Sequence, residues 1–186
     1  MRHIYLYIFF SILYSRVYSQ DSSLISLKLN NILTVGAPQN VKLEQQNFIK
    51  VYIGEINRCY IISTCYDTVM KVEDAETFRI GLSAFAYGFT KKVPKEQYQI
   101  KYSDTTIGNL KGVLIRYIAK DTALYAKTIV CYLTMANANF YSFQVVSPEF
   151  TGNEDLVVKY FNMIKFQVDE IQESKYTIDS VLIKRD

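Results

Sequence analysis

Residues 113–146 read VLIRYIAKDTALYAKTIVCYLTMANANFYSFQVV, and this stretch decides the fold. Three runs rich in β-branched and aromatic residues stand in it: Val113–Ala119, Leu124–Met135 and Phe140–Val146. Asp121 and Ala136-Asn137-Ala138-Asn139 separate them. Such side chains fit a pleated, half-buried surface. Breaks this short leave room for turns but not for the crossover helices that parallel strands need. The three runs are therefore expected to be consecutive antiparallel strands.

Upstream, Gln97–Tyr102 (QYQIKY) alternates and leads through the turn-like Ile107-Gly108-Asn109-Leu110-Lys111-Gly112. Asn47–Ile56 and Arg58–Tyr66 read as two more strands, with Glu55-Ile56-Asn57 as their turn. Between these groups the period changes. Phe78, Leu82, Phe85 and Phe89 fall on one face of an α-helix. Glu73, Asp74 and Glu76 in its first turn and Lys91 and Lys92 in its last complement the helix dipole. Pro94 blocks continuation. Gly81 and Gly88 each cost about 1 kcal/mol relative to Ala, so packing must hold this helix, expected over about 74–92. Downstream, Thr151-Gly152-Asn153-Glu154 fits a capping box, and Leu156, Tyr160, Phe161 and Ile164 make the apolar face of a second helix over about 152–164. Residues 21–40, with Gly36-Ala37-Pro38, read as a lead-in, and Tyr176–Ile183 as a last edge strand. The pattern predicts an α+β fold: an antiparallel β-sheet of about six strands whose one face is covered by two main helices.

The ends of the chain carry a different signal. Met1-Arg2-His3 is a short positive region, Ile4–Leu13 (IYLYIFFSIL) an apolar run of ten, and Val17-x-Ser19 supplies a small residue before a cut. Residues 1–20 read as a secretory signal peptide cleaved after Ser19 or Gln20. An uncleaved membrane anchor is the alternative, but a spanning helix needs about 20 apolar residues. The expected product is one exported domain over 21–186, periplasmic or extracellular, with its core at about 30–168 and no stable membrane insertion. The chain of 186 residues carries +3. Without Arg2 and Arg16 it holds 19 basic against 18 acidic residues. That balance gives no bulk field for nucleic acid.

Removing the leader also removes His3, the only histidine. Ser-His-Asp and Cys-His pairs need imidazole as a base, and His-ligated zinc or haem is excluded as well. No G-x-S-x-G, P-loop or G-x-G-x-x-G motif occurs. No catalytic, cofactor-binding or metal-ligating residue is assigned, and no cofactor is expected. Cys59, Cys65 and Cys131 lack the spacing of a disulfide framework and read as buried thiols, with a cross-strand pair of Cys131 to Cys59 or Cys65 as the alternative. Glu73, Asp74 and Glu76 read as a helix start and not as a metal cluster. The many Tyr residues read as a β core whose hydroxyls reach outward, with a flat sugar-binding platform as the alternative.

The layout resembles a known family. A Pro-containing lead-in, two strands, an amphipathic helix, Asn109-Leu110-Lys111-Gly112 into Val113–Tyr117, a long strand ending in Asn139–Phe143, and Leu156–Phe166 are similar to the Mog1/PsbP-like superfamily of small α/β/α domains. The resemblance covers about residues 30–168 and rests on hydrophobic and Gly/Tyr positions. It implies a non-catalytic exported domain acting through protein contacts. A small-ligand binder, a carbohydrate binder and a His-free hydrolase are the alternatives. No binding residue of that family can be placed on this sequence.

Overall fold

Strand runs and a helix that alternate along the chain resolve into layers in a computed structural model, which describes residues 23–67, 75–136, 139–150 and 153–167. In chain order the elements are β1 (Leu24–Lys28), β2 (Leu33–Pro38), β3 (Lys42–Gln46), β4 (Ile49–Ile56), β5 (Cys59–Tyr66), α1 (Ala75–Thr90), β6 (Tyr98–Ile107), β7 (Leu110–Ala119), β8 (Thr128–Ala136), β9 (Asn139–Ser147), α2 (Glu154–Asn162) and β10 (Lys165–Phe166). Strands β3 to β9 form one seven-stranded sheet in the order β3-β4-β5-β9-β8-β7-β6. Every pairing in it is antiparallel. A second sheet has the order β1-β2-β10.

Side chains alternate across a strand, and here the alternation separates two cores. Ile115, Tyr117, Ile129, Cys131, Leu133 and Val146 point to the face where α1 packs through Phe78, Leu82 and Ala86. Cys59, Ile61, Val130, Tyr132, Tyr141 and Phe143 point to the other face, beneath Leu156, Tyr160 and Phe161 of α2 and Leu33 and Val35 of β2. The expectation that both helices cover one face is therefore corrected. The two central strands β8 and β9 are apolar on both sides, and each side needs its own cover. Tyr160 of α2 is held by Ser63 at 2.8 Å and donates to the Ile62 carbonyl at 3.3 Å.

The lead-in is also corrected. Leu33, Val35, Gly36 and Ala37 are buried in β2, where they form half of a strand pair with β1. The Asn30 side chain accepts from the Ile32 and Leu33 amides and so builds the turn between the two. Gly36 is read wrongly as punctuation: a Cβ there would stand 3.0 Å from the Met163 sulfur, so the residue serves close packing. The sheet gains β3, an edge strand exposed throughout, in a stretch between the lead-in and Asn47 to which the sequence pattern assigns no element. Strand β8 starts at Thr128 and not at Leu124, because residues 120–127 form a loop over the sheet end. At α2 the helix begins from Asn153, whose amide donates to the Cys59 sulfur at 2.6 Å with no side-chain cap bond. Glu154 goes to Arg116, in a two-pronged pair at 2.7 and 3.1 Å. Helix α1 ends at Thr90, so Glu76 stands in its first turn as expected but Lys91 and Lys92 follow the helix and are not in its last turn. Residues 1–20, Glu73, Asp74, Thr151 and 176–183 lie outside the described residues, and with them the leader, the two acidic residues before α1, the capping threonine and the last edge strand.

Candidate functional site at the end of the sheet

One row of residues crosses the sheet on the α1 face: Tyr117, Ile129, Val146, Tyr60 and Glu55, each the register partner of the next. The row ends at Glu55 because β3 starts opposite Ile53, and it lies beside the short turn that joins β4 and β5. Ile56 pairs with Cys59, so the loop is Asn57-Arg58. Both residues have positive φ, 50° and 66°. The expected turn Glu55-Ile56-Asn57 is thus shifted: Ile56 is buried and belongs to the strand, and a two-residue loop with positive φ matches strand twist.

The loop 120–127 completes this corner. Its anchors are the Ala123 amide on the Asp121 side chain at 2.8 Å, the Tyr98 hydroxyl on the Ala126 carbonyl at 2.9 Å, and Lys127 N on the Ser147 carbonyl. They bring Tyr125 over Tyr60, with ring centroids 6.3 Å apart and planes tilted by 54°. The Tyr125 hydroxyl donates to the Arg58 carbonyl at 3.3 Å. Beside it, the Lys127 ammonium lies 5.6 Å from the Phe150 ring.

The electrostatics of the corner centre on Glu55. Its backbone amide donates to Asn40 at 3.2 Å, but its carboxylate makes no hydrogen bond or ion pair among the described residues. Burial raises the Glu55 carboxyl above its ordinary value. Tyr60 is raised by burial, then by the negative charge of Glu55 and by Tyr125. Tyr125 is raised by burial and by Glu55, with Arg58 opposing. A partly desolvated carboxylate whose charge reaches two phenols makes this corner acceptor-rich and electron-rich. Its chemistry is recognition of positive charge and of hydrogen-bond donors.

The other residues raised by the sequence fall elsewhere. Cys59, Cys65 and Cys131 are free and buried. Cys131 faces α1 and the other two face α2, so the sheet itself separates them. Burial pushes Cys65 up to about 12, with Asp67 adding to it, and raises Cys59 and Cys131 as well. None has the lowered pKa of a nucleophile. Tyr117, Tyr132, Tyr141 and Tyr160 are core residues. Among the described residues no group of three His, Cys, Asp or Glu could hold a metal ion, and no helix is long and apolar enough to cross a membrane. No family model matches this chain, and no curated protein matches it. Sequence reasoning reached neither Glu55 nor Tyr125 as a site residue. A cross-strand Glu-Tyr pair at a hairpin base is visible once the turn is placed at Asn57-Arg58.

Proposed function

We propose that this chain is an exported, non-catalytic domain of the Mog1/PsbP-like kind, acting through protein contacts in the cell envelope or outside the cell. The observation that carries the reading is the outer face of α1. Ile80 and Tyr87, two turns apart, are 56% and 57% exposed, and Ala84 is exposed between them. Exposed apolar residues scattered singly need no explanation, but an aligned set on one element points to a contact surface. Lys91, whose ammonium lies 5.9 Å from the Tyr87 ring, gives the stripe a charged rim of the kind interfaces have. The sheet with a layer on each side supports the likeness to small α/β/α domains. The raised thiols and the leader that would carry away the only histidine support a role without covalent chemistry.

The test uses the exported protein as bait in envelope extracts, beside an Ile80→Glu/Tyr87→Glu variant whose circular dichroism matches the wild type. A protein retained by the wild type and at least tenfold less by the variant supports the reading. The same set of proteins on both overturns it. Sequencing the N-terminus of the secreted form tests export: a start at Gln20 or Asp21 is expected, and an intact Met1 on membrane-bound material refutes it.

A second reading, a small-ligand binder, is favoured by the corner at Glu55. The carbohydrate version of it has less support, because Tyr60 and Tyr125 are tilted by 54° and offer no flat face for a sugar ring.

A further inference from the structure

We propose that the corner formed by Glu55, Tyr60 and Tyr125 is a binding site for an alkylammonium group, seated at the open side of the wedge that the two rings make, with the Glu55 carboxylate as its counter-ion. The proposal stands apart from the α1 stripe and does not rest on it.

Three observations carry it. Tyr60 lies directly opposite Glu55 on the β4–β5 ladder, where facing side chains stand about 5 Å apart. Tyr125 arrives from the loop 120–127 and closes a second wall at 6.3 Å and 54°. The Glu55 carboxylate, whose charge reaches both phenols, has no partner of its own among the described residues, although Arg58 is two residues past Ile56 and its charge reaches Tyr125. A partly buried carboxylate with no partner carries a desolvation cost that a bound cation would offset. The raised Glu55 carboxyl is in keeping with that cost.

The wedge shape selects among cations. Two rings meeting at 54° cannot sandwich a planar guanidinium, which lies flat on one ring at a time. An ammonium is compact and directs three donors from one point. It can approach both ring faces, attracted by their negative quadrupoles, while one N–H reaches the carboxylate. Arg58 is therefore poorly shaped to take that place itself, and its side chain is exposed. Lys127 shows the same chemistry satisfied next door, with its ammonium on the Phe150 ring.

The ammonium has two sources, a free amine or a lysine side chain of another protein, and the experiment separates them. Full-length protein carrying ¹³C-labelled tyrosine is titrated with n-butylammonium chloride. Ring signals are assigned through Tyr60→Phe and Tyr125→Phe. Sodium chloride and neutral n-butanol serve as controls for ionic strength and apolar contact, and N-butylguanidinium as the planar competitor. The expected result is saturable movement of the Tyr60 and Tyr125 rings with butylammonium, at least tenfold weaker in Glu55→Gln and absent with butanol. Arg58→Ala is expected to tighten binding by removing a competing charge. Equal shifts in Glu55→Gln, equal response to butanol, tighter binding of the guanidinium, or loss of binding in Arg58→Ala would each overturn the proposal. The glutamine variant keeps the side-chain shape, and the exposed Tyr125→Leu is a second probe expected to weaken binding. Acetyl-Gly-Lys-Gly-amide is the last arm. Tighter binding than butylammonium assigns the site to a lysine, and equal or weaker binding to a free amine.

Discussion

Arg58 sits where glycine is the usual solution. It follows Asn57 in a two-residue turn with φ of 66°, and a Cβ in the left-handed region costs about 1 kcal/mol or more. Replacing Arg58 with Gly should stabilise the hairpin by about 0.5–1 kcal/mol after the extra entropy of glycine is counted. Urea denaturation checks this, and a loss of stability would show that the arginine side chain has contacts that outweigh its backbone. Two tyrosines make an opposed pair of predictions. The Tyr117 hydroxyl is buried on the α1 face with no hydrogen-bond partner among the described residues, so Tyr117→Phe should be neutral or stabilising by about 1 kcal/mol. The Tyr160 hydroxyl is paired with Ser63 at 2.8 Å in the opposite core. Tyr160→Phe should therefore cost about 1 kcal/mol or more, because Ser63 would be left buried without that partner. Thermal melts of the two variants, shifted in opposite directions or one of them unmoved, check both.

The elements were legible in proportion to how locally their cause is written. Helix α1 could be found because Phe78, Leu82, Phe85 and Phe89 repeat with its own period, and Pro94 stops it. Strands β8 and β9 could be found because Ile129–Met135 and Phe140–Val146 are apolar on both sides. Strands β1 and β2 could not. The partners that cover β2 are distant, Phe166 against Leu33 and Met163 against Gly36, and a Gly-Ala-Pro sequence looks like a break when its neighbours are unknown. The same holds for the corner at Glu55. Its carboxylate and Tyr60 come from one hairpin, but Tyr125 is brought in by a loop whose anchor is Tyr98. The face covered by each helix was misjudged for a related reason: periodicity shows that a helix has an apolar side, not which side of the sheet receives it. Gly112 is a position where β7 and β8 pack too closely for any side chain. A Cβ there would run into the Leu133 carbonyl oxygen and stand 2.6 Å from the Tyr132 ring. Gly112→Ala should destabilise the β7–β8 pair by about 3 kcal/mol, measured by denaturant midpoint, whereas Arg116→Ala should cost under about 1 kcal/mol because its pair with Glu154 is largely exposed.

For the whole molecule, the two cores set how the protein meets alkaline solution. Cys65 and Tyr141 face each other across β5 and β9, and burial pushes each up to about 12. Below pH 9 both groups hold their protons in the folded and unfolded states, and the stability they contribute is complete. As pH rises from 9, the ordinary thiol value, through 10, the ordinary phenol value, the unfolded chain releases protons that the folded chain keeps. Stability must therefore fall with rising pH up to about 12, by about 1.4 kcal/mol per pH unit for each proton by which the two states differ. The check is denaturant unfolding at pH 8, 10 and 11, with a flat profile counting against closed cores.

The strand β10 is two residues long, yet it pairs Lys165 and Phe166 with Thr34 and Leu33 of β2. That pairing spans nearly the whole described chain, so it is among the costliest contacts to find by diffusion, and ladders of this kind slow folding. It also imposes an order in time. While the polypeptide is still being made, β1 and β2 can pair across the Asn30 turn, but the other edge of β2 at Leu33 and Thr34 stays open until residue 166 has arrived. The last described strand to emerge is thus the clasp that completes the first sheet pair.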